Sequence, residues 1–365
     1  MESSKCILTL DAGGTNFVFS ALQYEKEIVA PVTLPAEAHD LKKSLSNLIA
    51  GFEKVISMLN TRPDAISFAF PGPADYPNGI LGNLPNFSAF NGGVALGPML
   101  EHHFSIPVFI NNDGDLFAFG EAMKGCLPEI NRYLESAGNP KRYQNMVGLT
   151  IGTGFGCGIV IGGRLVTGDN SCGGGIHATL NPGRADWNAE ESVSTRAIKR
   201  VYAEQSGCRF DETPTPEEIF RIAMGELPGD REASRASFEE FGAALGYTVA
   251  NIVTLIDSNV VIGGGLTGSW ELFAPAMFRA MRKKFVNFRG EPMDRMSVKV
   301  YDLEDEQEKI RFLEGNPVEL TVPGSGEKMQ YDDSSRIGIA KSRLGASAAV
   351  GLGAYAFALR KLKEQ

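Results

Sequence analysis

Hydrophobic positions follow two different periodicities along the chain, and the alternation between them predicts an α/β protein. Short apolar, β-favouring runs at residues 7–10 and 65–70 predict buried strands. Apolar residues at helical spacing predict amphipathic helices over residues 41–59 and 238–256. Strands that alternate with helices in this way are typical of the α/β class.

The same patterns predict most of the remaining elements. Further strands are predicted at 17–22, 28–34, 108–110 and 259–262, and further helices at 115–123, 192–205, 216–224 and 347–362. The segment 301–336 is polar, acidic and rich in turn residues, and we interpret it as an insertion or β-excursion outside the core.

An internal repeat supports a two-domain organisation. Residues 8–13 (LTLDAG) and 149–154 (LTIGTG) each read as a strand that runs into a glycine turn. A single core rarely grows beyond roughly 250–300 residues, and this chain has 365. We therefore expect two domains built on one plan.

Composition and charge narrow the classes of function. Glycine contributes 42 of 365 residues, against a typical share of about 7 %, and eleven glycines lie between positions 148 and 175. Such clusters indicate backbone that turns sharply or approaches something closely. The net charge of −9 argues against a nucleic acid partner. Five scattered cysteines and the lack of a signal or membrane-spanning segment favour the cytoplasm and no membrane partner.

The first glycine turn, residues 11–16 (DAGGTN), carries chemistry suited to an anion. Consecutive backbone N–H groups in such a turn converge on one point, and Thr15 and Asn16 add side-chain donors. Asp11 ends the preceding strand and could hold a hydrated Mg²⁺. An ordinary hairpin turn is the alternative interpretation.

Two later glycine segments resemble the first. Residues 152–158 alternate glycine with other residues inside a strand-like stretch, which fits either a phosphate contact or tight backbone packing. Residues 263–268 match G-x-G-x-x-G, but no acidic residue follows at the distance that a dinucleotide site requires. An NAD-dependent oxidoreductase is therefore disfavoured, and a loop beneath a nucleotide fits better.

Two groups of polar residues could act on a ligand. Asn112 and Asp113 follow a buried strand and precede a helix, so that they fit either a ligand site, with a carboxylate able to accept a proton, or a helix cap. His177 follows a run of glycines and Glu191 lies 14 residues on; the pair could bind a polyhydroxylated ligand or lie on the surface. No Walker A motif occurs, which excludes a P-loop kinase.

The order of these segments resembles the ROK family of sugar kinases across nearly the whole chain. The residues that carry the resemblance are the first glycine turn, Asn112-Asp113, Gly120-Glu121, the turn at 152–156, His177, Glu191, Gly263–Gly265 and Leu344–Ala346. The resemblance implies two ribonuclease-H-like (actin-like ATPase) domains with a central cleft. We place the small domain at 1–112 plus 345–365 and the large one at 113–344, with the insertion around 301–336.

The resemblance also implies roles for the candidate residues. Asp113 is expected to be the catalytic base, and Asn112 to hold the sugar beside it. His177 and Glu191 match sugar-binding positions, and Asp11 is expected near Mg²⁺ through water. The residues expected to hold ATP are Gly13, Gly14, Thr15, Asn16, Gly152, Thr153, Gly154, Gly156, Gly263, Gly264 and Gly265.

Two departures from the family pattern bear on function. Gly174 stands where the family usually has a glutamate three residues before the histidine, so that one sugar contact is missing or comes from elsewhere. Many members carry a cysteine-rich zinc site between the histidine and the next glutamate, whereas residues 178–190 contain no cysteine. We therefore predict no structural zinc and a loop at 181–188 that is held by other means.

The expected function is ATP- and Mg²⁺-dependent phosphorylation of a hexose, with glucose and its 6-hydroxyl as the first choice. Kinases for fructose, allose or N-acetylmannosamine are alternatives of the same class. A sugar-sensing protein with weak or no catalysis is an alternative of another class, which Gly174 keeps open. The resemblance implies a homodimer, and the N-terminal helix-turn-helix of the family's repressors is not expected here.

Overall fold

The structure is a computed structural model that describes residues 4–82, 84 and 87–364. Contacts divide the chain into two compact units. The first unit comprises residues 1–125, 158–174 and 344–365, and the second comprises residues 126–157 and 175–343. These units differ from the predicted domains, because residues 113–125 and 158–174, placed in the large domain above, belong to the first unit.

Strands and helices alternate through most of the chain, which confirms the predicted α/β class. The strands are β1 Ile7–Ala12, β2 Asn16–Gln23, β3 Lys26–Glu27, β4 Val32–Pro35, β5 Ala65–Ala69, β6 Ala74–Asp75, β7 Ile80–Leu81, β8 Val94–Ala95, β9 Val108–Asn111, β10 Met146–Ile151, β11 Phe155–Ile161, β12 Arg164–Leu165, β13 Asn259–Gly263, β14 Phe285–Val286, β15 Pro292–Met293, β16 Lys299–Asp302, β17 Pro317–Thr321, β18 Lys328–Asp332 and β19 Arg336–Lys341.

The helices are α1 Leu41–Ser57, α2 Leu96–Phe104, α3 Asp113–Lys124, α4 Cys126–Ser136, α5 Thr195–Ser206, α6 Pro216–Met224, α7 Arg231–Ile256, α8 Trp270–Arg282, α9 Glu306–Glu314 and α10 Ala346–Glu364. Short 3₁₀ helices occupy Ser88–Phe90, Ile176–Ala178, Ala189–Glu191, Phe210–Glu212 and Gly265–Ser269. No helix in the described residues combines the length and the apolar character needed to cross a membrane.

The main sheet of the first unit has the order β3-β2-β1-β5-β9, with β4 also paired to β2. β1 and β2 form an antiparallel hairpin, whereas β5 and β9 lie parallel to β1. One face of this sheet covers a core rich in phenylalanine, with α1 packed against it. The fully buried aromatic rings of this core are Phe17, Phe19, Phe52, Phe68, Phe70, Phe87 and Phe90.

The C-terminal helix α10 packs on the opposite side of this sheet, against β1, β5 and α3. The contact with α3 is made at glycines. A side chain at Gly120 would collide with the carbonyl oxygen of Ala349, and one at Gly353 would collide with that of Leu116. Because both positions lack a Cβ atom, the backbones of the two helices approach each other directly.

The second unit repeats the parallel part of this plan. β10, β13, β19 and β16 pair side by side, all parallel, and β11 lies next to β10. β10 and β11 are joined by a short glycine turn, as β1 and β2 are. Helices α5, α7 and α8 pack together beside this sheet. The long helix α7 is capped by Asp230, whose side chain accepts a hydrogen bond from the N–H of Ala233.

The segment 301–336 belongs to the core more fully than the sequence predicts. Its two ends lie in the parallel strands β16 and β19 of the second unit's sheet. Helix α9 buries Phe312 completely, and the side chains of Asp332 and Arg336 form a fully buried ion pair. The hairpin β17–β18 forms a separate two-stranded sheet and is mostly exposed, so the interpretation as an insertion suits this hairpin and is wrong for the rest of the segment.

Candidate functional site

In the first unit the predicted residues come together at one edge of the sheet. The registers of the parallel pairs place Asp11 opposite Ala69, and Ala69 opposite Asn111. Neighbouring strands lie about 4.8 Å apart, so Asp11 and Asn111 are about 10 Å apart across the sheet. The first glycine turn follows Asp11 directly, and Asn112-Asp113 follow Asn111. Carboxyl ends of parallel strands are where α/β proteins bind ligands.

The first glycine turn is exposed and offers unpaired donors. The N–H of Gly13 donates to the carbonyl of Asn16 (3.0 Å), which closes the turn between β1 and β2. The N–H groups of Gly14 and Thr15 have no acceptor in the described chain, and the space above Gly14 is open for at least 4 Å. Asp11 and the turn residues Gly13–Asn16 are all exposed. This turn can hold an anion with its backbone.

Asn112 and Asp113 begin α3, and the capping interpretation of Asn112 holds. Oδ1 of Asn112 accepts a hydrogen bond from the N–H of Gly114 (2.9 Å), as an N-cap does. Asp113 is the first helical residue and is exposed. Capping directs Oδ1 of Asn112 towards the first turn of α3, and the carboxylate of Asp113 stays accessible at the sheet edge.

In the second unit the other two glycine segments also share one edge. Thr150 of β10 lies opposite Gly263 of β13, so the turn at 152–154 and the segment 263–265 follow adjacent parallel strands. Gly264 has φ +99°, and a Cβ there would collide with the carbonyl of Ile151. Only glycine fits at such a position. Gly264 therefore packs tightly against the end of β10, while Gly265 faces open space.

Glu190, which the sequence analysis did not single out, contacts the second glycine turn. Its Oε2 accepts a hydrogen bond from the N–H of Phe155 (3.0 Å), and its Oε1 accepts one from Arg196 (3.1 Å). Glu191, the predicted sugar ligand, reaches the same Arg196 nitrogen at 3.3 Å. The backbone N–H groups of Thr153 and Gly154 have no acceptor in the described chain. The paired glutamates in the sequence were the only signal for Glu190.

His177 and Glu191 lie in two short 3₁₀ helices that contact each other within the second unit. The N–H of Ala189 donates to the carbonyl of Thr179 (2.8 Å), which joins the two segments. His177 is exposed and Glu191 is half-buried. The structure therefore brings both predicted sugar-binding residues to one loop, whose second half carries Glu190.

Hydrogen bonds of Asn181 hold the loop between these residues. The buried amide donates to the carbonyl of Asn188 (3.0 Å) and to Oγ of Ser192 (2.8 Å). Its Oδ1 accepts hydrogen bonds from the N–H groups of Gly183 (3.0 Å) and Arg184 (3.2 Å). One side chain thus satisfies both ends of the loop. Among the described residues, no three His, Cys, Asp or Glu side chains are grouped to hold a metal.

Replacement of Asn181 by alanine is expected to lower the free energy of unfolding by about 2 kcal/mol, because two backbone N–H groups lose their acceptor. Urea denaturation measures the loss. Asn287→Ala, which removes similar local hydrogen bonds from an exposed turn, is the control and should cost less.

A zinc chelator should leave the melting temperature of the wild-type protein unchanged. A clear drop would contradict the predicted absence of structural zinc.

Gly174, the departure from the family pattern, adopts φ +75° in the first unit. Residues with a Cβ rarely adopt this left-handed conformation. The local backbone therefore favours the glycine that the sequence has, and a glutamate at this position would be strained.

Asp115 is a second carboxyl group close to Asp113. It lies on the first turn of α3 with 4 % of its surface exposed, and its Oδ1 has no hydrogen-bond partner among the described residues. Burial, together with the charge of Asp113, raises the pKa of Asp115 to about 7. The first turn of α3 therefore contains one exposed and one buried carboxyl group, of which the buried one holds its proton into the neutral range.

Replacement of Asp115 by asparagine is expected to stabilise the protein more at pH 8 than at pH 5. An unfolded aspartate releases its proton near pH 4, whereas folded Asp115 keeps it until about pH 7. The free energy of unfolding of the wild-type protein therefore falls as the pH rises from about 4 to about 7, by up to about 1.4 kcal/mol per pH unit. Asparagine abolishes that fall, because it does not ionise. Thermal unfolding at both pH values measures it. Asp211→Asn, at an exposed position, is the control and should have the same effect at both pH values. An equal effect of Asp115→Asn at pH 5 and pH 8 would contradict the prediction.

The chain is similar to known proteins in both sequence and structure. The family model described as "ROK family" matches residues 7–307. The solved structure of a glucokinase from Parabacteroides distasonis is 52 % identical to this chain, with a TM-score of 0.90, and the match covers 98 % of each chain.

Curated relatives are more distant and differ in the sugar that their names state. The glucokinase of Thermotoga maritima is 27 % identical, over 77 % of this chain and 87 % of the relative. The N-acetyl-D-glucosamine kinase of Photobacterium profundum is 26 % identical, over 77 % of this chain and 91 % of the relative. The family resemblance inferred from the ordered motifs is confirmed: the chain belongs to the ROK family.

Proposed function

We propose that this protein is an ATP-dependent hexose kinase that transfers the γ-phosphate to a sugar hydroxyl, with the 6-hydroxyl of glucose as the preferred acceptor. The main support from the site is the register of β1, β5 and β9, which aligns Asp11, Ala69 and Asn111 across the sheet. This register brings the first glycine turn and the exposed carboxylate of Asp113 to one sheet edge. The 52 % identity with the Parabacteroides glucokinase favours glucose.

The glycine segments fit the phosphates of ATP. The N–H groups of Gly14, Thr15, Thr153 and Gly154 are available as donors, and the space around Gly14 is open. Asn16, Gly152 and Gly156 complete the two turns, and Gly263–Gly265 would lie by the adenosine. Asp11, exposed at the end of β1, fits a hydrated Mg²⁺, which would offset the charge of the phosphates when bound.

Asp113 would act as the general base. Its carboxylate accepts the proton of the sugar hydroxyl while that oxygen forms a bond to the γ-phosphorus of ATP. The bond between the γ-phosphorus and its bridging oxygen breaks, and ADP leaves. Phosphoryl transfer depends mainly on positioning and electrostatics, so one base, one metal and two donor turns form a sufficient set. Asn112, His177 and Glu191 would hold the sugar.

An assay of ATP consumption over a panel of hexoses and N-acetylhexosamines, with Mg²⁺, tests the proposal. Turnover with glucose above all other sugars is the expected result. Preference for fructose, allose or N-acetylmannosamine would keep the class of reaction and change the substrate. Sugar binding without turnover of any sugar would overturn the proposal in favour of a sensor.

We also propose that the kinase works as a homodimer in the cytoplasm, where the thiols of Cys6, Cys126, Cys157, Cys172 and Cys208 remain reduced. Light scattering on the eluting protein measures the mass, and a monomer across the micromolar range would contradict the dimer.

A further inference from the structure

Tyr76 is a buried residue beside Asn112 that the proposed mechanism does not use. The hydroxyl group of Tyr76 donates a hydrogen bond to the carbonyl of Phe70 (2.9 Å), at the end of β5. Nδ2 of Asn112 lies 3.3 Å from the same hydroxyl oxygen. The side chain is only 6 % exposed, so water does not compete freely for these contacts.

Tyr76 is fixed from several sides within the first unit. Its backbone N–H donates to Oγ of Ser171 (3.3 Å), on the segment 158–174. Gly72 lies so close that a Cβ there would be 2.9 Å from the tyrosine oxygen. The phenol therefore occupies a defined position between the end of β5 and the beginning of α3.

The direction of these hydrogen bonds determines the orientation of the Asn112 amide. A phenol has one proton, and that proton is committed to the carbonyl of Phe70. The oxygen can only accept from Asn112, which therefore turns Nδ2 towards Tyr76 and Oδ1 towards the N–H of Gly114. Burial raises the pKa of Tyr76 above its usual value, so the phenol keeps its proton throughout the working range.

We propose that Tyr76 is a positioning residue for sugar binding, which fixes the amide of Asn112 so that it offers an N–H group to the acceptor hydroxyl. This proposal rests on the proposed kinase function and adds a residue to it. The amide nitrogen carries two hydrogens, and only one is used by Tyr76 in the described chain. A sugar hydroxyl that accepts the second N–H still has its own proton available for the neighbouring carboxylate of Asp113.

A double-mutant cycle tests this proposal. Tyr76→Phe removes the acceptor and keeps the ring, whereas Asn112→Ser keeps an N-cap oxygen and removes the amide. Tyr76→Phe should raise the KM for the sugar about fivefold to tenfold, the usual effect of one hydrogen bond, and leave the KM for ATP unchanged. In the Asn112→Ser background, Tyr76→Phe should raise the KM for the sugar little further, because the amide that Tyr76 orients is absent.

Tyr143→Phe is the matched control, since its hydroxyl donates to the carbonyl of Arg336 at 2.8 Å within the second unit. It should leave both KM values unchanged. Equal effects of Tyr76→Phe in the two backgrounds, an equal rise of both KM values, or wild-type kinetics would each overturn the positioning role.

Urea unfolding of the same four proteins separates this inference from the kinase assignment. Coupling between Tyr76→Phe and Asn112→Ser in the unfolding free energy is expected, because the contact exists without any sugar. If no sugar is phosphorylated by the wild-type enzyme, the kinase assignment fails, and calorimetric sugar binding replaces KM in the cycle. Additive unfolding effects would overturn the contact itself, whatever the enzyme turns over.

Discussion

Replacement of Asp113 by asparagine is expected to lower kcat about 10²-fold or more and to leave the fold intact. Positioned general bases typically contribute 10²-fold to 10⁴-fold. Asparagine keeps the shape of the side chain and removes its ability to accept the proton of the sugar hydroxyl. The carboxylate is exposed at the beginning of α3, so the change should disturb little packing. Steady-state kinetics with saturating ATP and sugar measures the loss.

Asparagine at this position also removes a negative charge from the first turn of a helix, which costs up to about 1 kcal/mol of stability. Glu217→Gln is the matched control, because Glu217 lies exposed in the first turn of α6. It should reproduce the stability change and leave kcat near the wild-type value. Normal turnover by Asp113→Asn would show that another group accepts the proton.

Replacement of Arg336 by methionine is expected to lower the free energy of unfolding by about 3–5 kcal/mol, the usual cost of breaking a buried ion pair. Arg336 and Asp332 are fully buried with their charged atoms 2.7 Å apart. Arg336 Nε also donates to the carbonyl of Phe312 (2.6 Å), and Asp332 accepts from Nδ2 of Asn139 (2.7 Å). Methionine would leave the carboxylate without its counter-charge. Urea denaturation measures the change.

Arg279→Met is the control for this prediction, since Arg279 and Glu239 form an ion pair with both side chains exposed. Exposed pairs contribute about 0–1 kcal/mol, so the loss should be small. The double variant Asp332→Asn, Arg336→Met removes both charges and should recover part of the stability. If Arg336→Met costs no more than Arg279→Met, the buried pair does not stabilise the fold.

The same pair predicts sensitivity to acid. Burial opposes ionisation of Asp332, yet hydrogen bonds from Arg336 and Asn139 hold the pKa of this carboxyl below its usual range. The folded state therefore releases the proton more readily than the unfolded state does. The resulting stability is present above about pH 4 and is lost as the pH falls through the lowered pKa.

Secondary-structure elements with a clear hydrophobic periodicity could be predicted from the sequence, and those interrupted by a proline could not. Helix α6 agrees with its prediction at both ends, because Thr215, Pro216 and Glu218 form a capping box before an apolar face. Helix α8 was missed, because Pro275 in its middle reads as a helix breaker. Of the strand predicted at 28–34, only residues 32–34 lie in a strand, β4, which begins directly after Pro31, a residue without an N–H group.

The site could be predicted as a set of segments but not as a set of contacts. The glycine turns and Asn112-Asp113 were recognisable because glycine clusters and polar residues after an apolar run are local patterns in the sequence. Tyr76 and Glu190 were missed because each contacts a partner distant in sequence, Asn112 and the turn at Phe155 respectively. The catalytic and binding roles of the predicted residues stay predictions that the experiments above address.

The glycine contact between α3 and α10 has a consequence for synthesis of the protein. The helix that begins with Asp113 rests on residues 346–364, so the first unit depends on a segment made more than 200 residues later. During translation the sheet of this unit can pair early, but the surface that receives α10 stays uncovered until the C-terminal segment emerges. We therefore expect nascent chains stalled before residue 346 to bind chaperones and to lack sugar phosphorylation.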